Sequence, residues 1–482
     1  MDSDSITNKV DAWTKNKTTS FAADLVAAAF VLGKYKEAIN AAEFLLADKS
    51  LASESAKEIA KRILYPGVEQ DQGYPTRLSL PHTDQIHEQI RALRARTREE
   101  PRNAIVWADL AREYALVGQK DQAIRAMDIA VALGPTNRFI LRSAARLYIH
   151  EGKVDKAHYI LRKAAATKFD PWLLSAEIAV ASAANRTSNW VTNGQRMLSD
   201  ESLSPFQKNE LSGAVGMMEL SHGKVKSARN LFRQALIEPT ENTVAQVEWA
   251  HRKKHMSGLD LDLEVARPQT PYPFEAAAWE LFSDSAWRKS LDQSLEWLRD
   301  QPFSTRPIML ASYLSLSVLE DYRYGEQILK IGLRANPTDA TLLNNMAYLC
   351  ASSGRIADAE GYFNSIQAEN IRELPQGIAI IATAGLIAFR RGSADEGRAL
   401  YRQAMNMAKA QEHKKQRAIA AIYLAREEIL IKSSEAEKAF ELANKESRSL
   451  NEPDVNVILN NVLVDNSGLQ SQTDSANSDD IR

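Results

Sequence analysis

The sequence predicts an all-helical chain of stacked antiparallel hairpins, on three observations. Glycine and proline are sparse, at 20 and 16 of 482 residues, as expected where most of a chain is helical. Small and aromatic residues recur at a fixed interval: Gly152 answers Gly118, Ala157 answers Ala123, Ala164 answers Ala130 and Tyr148 answers Tyr114, each 34 residues on. The stretch NNMAYLCASSGRIADAEGYF at 344–363 repeats the grouping, with Ala347 and Ala359 where two helices touch and Gly354 between them.

Composition narrows the class. At 482 residues the chain suits two or three globular domains or one extended repeat array. Charged residues make up 25%, and the net charge of -2 gives no chain-wide attraction to nucleic acid or anionic lipid, so any electrostatic partner must meet a local patch. The single cysteine, Cys350, leaves no intramolecular disulfide or multi-cysteine metal site, which fits a reducing compartment. The N-terminal MDSDSITNKVDAWTKNK lacks the apolar core of a secretion signal. No apolar run reaches the roughly 20 residues of a membrane span. The expectation is a cytoplasmic protein with no membrane partner, no metal and no cofactor.

Residues 1–64 read as an N-terminal hairpin region, with VAAAFVLGKYKEAINAAEFLL at 26–46 as its helices. Residues 65–84 collect proline and glycine without helical periodicity and read as a linker that sets this hairpin apart. An N-terminal sub-array follows over 85–257, with its clearest unit at 104–135. There Trp107, Leu110, Ala111, Tyr114, Gly118, Ala123, Met127, Ala130 and Pro135 nearly complete one pattern. Small residues at Ala111 and Ala123 let the helices approach, and Gly118 permits the turn. The pattern resembles the tetratricopeptide repeat, whose unit is two antiparallel helices of 34 residues. A single hairpin cannot cover its own apolar faces, so neighbours must stack into a superhelix.

Further units fall at 172–200 and 209–239, the latter with Gly223, Ala228, Phe232, Ala235 and Pro239. Residues 258–273, GLDLDLEVARPQTPYP, read as a second linker or hinge. A C-terminal sub-array over 274–449 then holds units at 274–302, 306–337, 344–363, 384–405 and 417–445. The total is about nine hairpins, five of them on the specific pattern. Residues 450–482 turn polar and read as a disordered tail.

The resemblance implies that the first helix of each unit lines a concave groove that holds a partner protein or peptide. In the N-terminal half the inward positions are Arg112, Arg142, Arg146 and His150, a basic stripe within a region of sixteen Lys and Arg against ten Asp and Glu over 85–170. An acidic peptide or phosphate-bearing ligand suits such arginine forks; a solvated face whose arginines pair with acids such as Glu113 is the plainer alternative. In the C-terminal half the same positions are Leu310, Leu314, Asn344, Tyr348, Leu386 and Phe389, an apolar groove of the helix-binding kind. Packing of these residues against the neighbouring unit is the alternative there.

Leu310 and Leu314 stand where carboxylate-clamp co-chaperones need polar side chains, and Asp109 and Ser143 interrupt any asparagine ladder matching Asn345. His251 and His255 in HRKKH share a helical spacing but are flanked by cations and lack the zinc-protease glutamate. Cys350 sits at a helix-packing position and reads as a buried thiol. No nucleophile elbow, phosphate loop or dinucleotide fingerprint is present. The expected function is a non-enzymatic interaction scaffold or adaptor, a subunit of a larger complex. The alternatives are a peptide-gated receptor or an RNA-binding repeat, the last disfavoured by net charge and by the few aromatics among the arginines.

Overall fold

The computed structural model describes residues 3–32, 34–47, 52, 54–65, 83–252, 270, 273–366 and 376–462. Every regular element among them is helical, and consecutive helices pack in antiparallel pairs of the tetratricopeptide-like kind. The chain divides into two compact units, Met1–Glu280 with Arg299–Pro302, and Leu281–Leu298 with Phe303–Arg482.

Local chemistry sets the helix ends. The side chains of Asn103, Asn137, Asp170, Ser204, Thr240 and Asp339 accept from backbone N–H groups at the starts of first helices, and Ser204 with Gln207 forms a reciprocal capping box. The turn between the two helices has one recurrent conformation. Gly118 and Gly152 adopt φ of 68° and 70°, which glycine reaches without cost. Asn185, Ser285, Glu320 and Lys432 adopt the same left-handed φ in helix-to-helix turns that lack glycine. These turns explain why units at 172–200, 274–302 and 417–445 carry a weak repeat signal: the geometry persists where the glycine does not.

In the first unit, the pairs are Ala104–Leu116 with Lys120–Leu133, Arg138–His150 with Val154–Lys163, Pro171–Ala183 with Val191–Leu198, and Pro205–Ser221 with Val225–Ala235. Helix Thr83–Glu99 precedes them and Glu241–His251 follows. The N-terminal region does not sit apart as expected. Its helices Ser3–Lys15, Thr19–Val31, Ile39–Leu46 and Glu54–Leu64 share one apolar core with Trp172 and Phe206. The Phe30 and Phe206 rings meet edge-on at 4.9 Å, and Arg138 donates to the Ala27 carbonyl at 3.0 Å. The apolar faces of that region need a partner surface, and the array supplies it.

In the second unit, Thr305–Tyr313 continues through a π-helical turn, Leu314–Val318, and pairs with Tyr322–Ala335. Ala340–Ser352 pairs with Ile356–Asn364, Gly377–Arg390 with Ala394–Ala410, and Lys414–Leu430 with Ala436–Arg448. Gly385 and Gly397 lie where the Gly377–Arg390 pair crosses, each beside the other's backbone carbonyl, so that a methyl on either would meet Tyr401 or Phe389. The first part of the expected disordered tail is ordered. Residues 453–462 are helical, with Val455, Ile458, Leu459 and Val462 buried; the rest of the expected tail, 463–482, lies outside the described residues. So do most of the two expected linkers, at 66–82 and 253–272 apart from Thr270.

Candidate functional site

The first helices of successive hairpins pack side by side in each unit; the face they share, which the repeat resemblance makes the inner one, differs between the two units. In the first unit the stripe of arginines is present but divided. Arg142 is half-buried and bonds Glu210 at 2.7 Å, while its guanidinium lies 5.4 Å from the Trp172 ring. Arg138 sits on the same ring at 5.4 Å and binds Asp170 at 2.5 Å. The Trp172 ring therefore lies within cation–π distance of two guanidinium groups, each paired with a carboxylate. The pairing acid is Glu210, three hairpins beyond Glu113, because the stack of helices brings 142 and 210 together. Arg142 is a structural residue rather than an open ligand for a partner.

Arg112 and Arg146 remain exposed at equivalent repeat positions, and neither forms a salt bridge among the described residues. Carboxylates flank them. Burial pushes Asp109 up to about 6 against the opposing charges of Arg112 and Arg96. Burial and the charge of Glu210 push Glu241 up to about 7, against Arg146. Burial also raises Glu113, whose Oε2 is enclosed without a hydrogen-bond partner. His150 is largely enclosed, with Nε2 at 4.0 Å from Glu151. The strip thus sets exposed cations beside carboxyls that burial holds above their ordinary range.

The apolar groove expected in the second unit is filled. Leu310, Leu314, Leu386 and Phe389 are at most 4% exposed, so no partner can reach them; the alternative, packing within the array, holds. Asn344 is buried as well, with its Oδ1 lacking a partner. Tyr348 alone of this set is partly exposed; its hydroxyl accepts from Arg426 at 3.1 Å and its ring lies 5.3 Å from Tyr423. Tyr423 in turn donates to Ser317 at 3.0 Å. Arg426 and Arg390 converge on Glu427, at 2.9 and 2.7 Å. Helix Lys414–Leu430, part of the expected unit at 417–445, therefore covers this face, and none of its residues was among the expected groove positions. The signal was present in YLAREE at 423–428, where a tyrosine and paired charges recur at one helical face, but only a folded chain shows what they meet.

Cys350 is buried, with its thiol pushed up by burial, as the packing position implied. His255 lies outside the described residues, so the HRKKH pair is not placed; Arg252 stacks on Trp279 at 4.1 Å. No helix among the described residues is long and apolar enough to cross a membrane.

No known family profile matches the chain, and no curated protein matches it. Among solved structures, yeast Tom70 is 12% identical with a TM-score of 0.29, over 81% of this chain and 93% of that one. A structure of Naa15/Naa10 bound to HypK-THB is 13% identical with a TM-score of 0.26, over 94% of this chain and 97% of that one. At that level of overlap, the fold of this chain rests on its own helix pairs.

Proposed function

We propose that the chain is a non-enzymatic protein-interaction scaffold or adaptor, acting in the cytoplasm as part of a larger complex, and that the inner face of its first unit captures an acidic segment of a protein partner. The observation that carries this reading is the exposed, unbridged pair Arg112 and Arg146 at equivalent positions of adjacent hairpins. Arginine forks bind carboxylates bidentately, and two of them on a shared face set a register for an extended segment. The neighbouring carboxylates Asp109 and Glu241 tune that face, since their protonation removes competing negative charge.

The test is affinity capture from the native host with the intact chain beside an Arg112→Glu, Arg146→Glu variant. Arg142 is left alone because its loss would strand the buried Glu210. A protein retained by the first and absent from the second supports the reading. Identical captured sets remove the arginine face from it, and recovery of RNA in place of protein overturns it.

A further inference from the structure

We propose that the inner face of the second unit is a docking surface for an amphipathic helix bearing a carboxylate pair at its N-terminal end, and that residues 453–462 occupy it in cis. The surface is distinct from the arginine strip and is argued from different residues.

The seated segment shows what the surface recognises. Pro453 opens the helix, a position where its missing N–H costs nothing. The Asp454 carboxylate, 2% exposed, accepts from the Tyr313 hydroxyl at 2.5 Å and from Lys415 at 2.7 Å. Lys415 also holds Glu452 at 2.7 Å, and its ammonium lies 5.5 Å from the Phe282 ring and 6.0 Å from that of Tyr313. At the far end, Asn461 donates to the Val318 carbonyl at 3.3 Å. That carbonyl closes the π-helical turn, where helix-terminal acceptors are otherwise unsatisfied. Between these polar anchors Val455, Ile458, Leu459 and Val462 are buried, one apolar face at helical spacing.

Two features mark this as ligand-like docking rather than one more hairpin. Two of the segment's polar anchors, Tyr313 and Val318, lie 141 and 143 positions earlier in sequence rather than in the hairpin that precedes it. Its recognition elements are an ammonium set against aromatic rings, a phenol and a free carbonyl, with an apolar floor, as in helix-in-groove binding. A partner helix with acids at its first turn and apolar residues one, four, five and eight positions after the aspartate meets the same groups.

The test uses the full chain and a fluorescein-labelled peptide of residues 451–462. Glu452→Lys, Asp454→Lys dislodges the segment through its charges, and Ile458→Ser does so through its apolar face. The expected result is peptide binding by both variants, and binding at least about tenfold weaker by the intact chain, where the tethered segment competes at high effective concentration. Adding Lys415→Glu abolishes binding, and a peptide with both acids changed to lysine restores it. Equal binding by intact and dislodged chains overturns the proposal, as does absence of binding by the dislodged ones. Loss of helical circular dichroism in both variants also overturns it, because the segment is then part of the core. Dimer formation by the dislodged chains in place of peptide binding assigns the surface to a second copy instead.

Discussion

Arg426 donates to the Tyr348 hydroxyl at 3.1 Å across 78 positions of sequence, joining two hairpins through the middle of the second unit. The guanidinium is 7% exposed and packs 4.7 Å from the Tyr423 ring, with Glu427 as its carboxylate partner. A buried cation in such a setting is held by geometry, and its removal strands its partners.

Arg426→Leu should therefore cost the second unit about 3 kcal/mol, the range for breaking a buried ion pair from one side. Urea unfolding followed by circular dichroism measures it. A loss below about 0.5 kcal/mol, the scale of a surface substitution, would place the cluster in solvent instead.

Gly397→Ala tests the helix crossing. The added methyl meets the Phe389 ring and the Gly385 carbonyl, neither of which is a flexible chain end. Overpacking of this kind costs about 1–3 kcal/mol. Gly361→Ala, where a methyl meets nothing within 4 Å, serves as the control and should be neutral or stabilising.

Trp172→Ala separates structural from open residues in the first unit. It removes a ring shared by Arg138, Arg142 and Phe206, and should cost about 3–5 kcal/mol while loosening the N-terminal helices. Limited proteolysis should then cut before residue 65. Arg146→Ala should change stability by less than about 0.5 kcal/mol, and equal damage from both would refute the distinction.

Stability of the first unit should rise as pH falls from 8 to 5. Asp109 and Glu241 have folded-state values of about 6 and about 7, above their unfolded ones. Groups raised in this way contribute stability that is fully present below the unfolded value and lost as pH climbs through the folded one. Thermal melting across that window, compared with an Asp109→Asn, Glu241→Gln chain, should show a steeper pH dependence for the parent. Parallel curves would exclude these two carboxyls as the source. Binding of an acidic segment should tighten over the same interval, since protonation leaves Arg112 and Arg146 unopposed.

The sequence by itself determined the helices, their 34-residue pairing and their turns, because these depend on neighbours close in the chain: Asn103 and Asp170 cap their own helices, and Gly118 bends its own hairpin. It also placed Arg112 and Arg146 at equivalent repeat positions. Only the tertiary structure decided that Arg142 is neutralised by Glu210, that Leu310, Leu314, Leu386 and Phe389 are enclosed, and that the second inner face is closed by Tyr423, Arg426 and residues 453–462. Those outcomes depend on curvature summed over several hairpins, and no local pattern encodes which side chains that sum brings together. The N-terminal helices follow the same rule: their apolar faces were legible, but Trp172 and Phe206 as the surface that covers them were not.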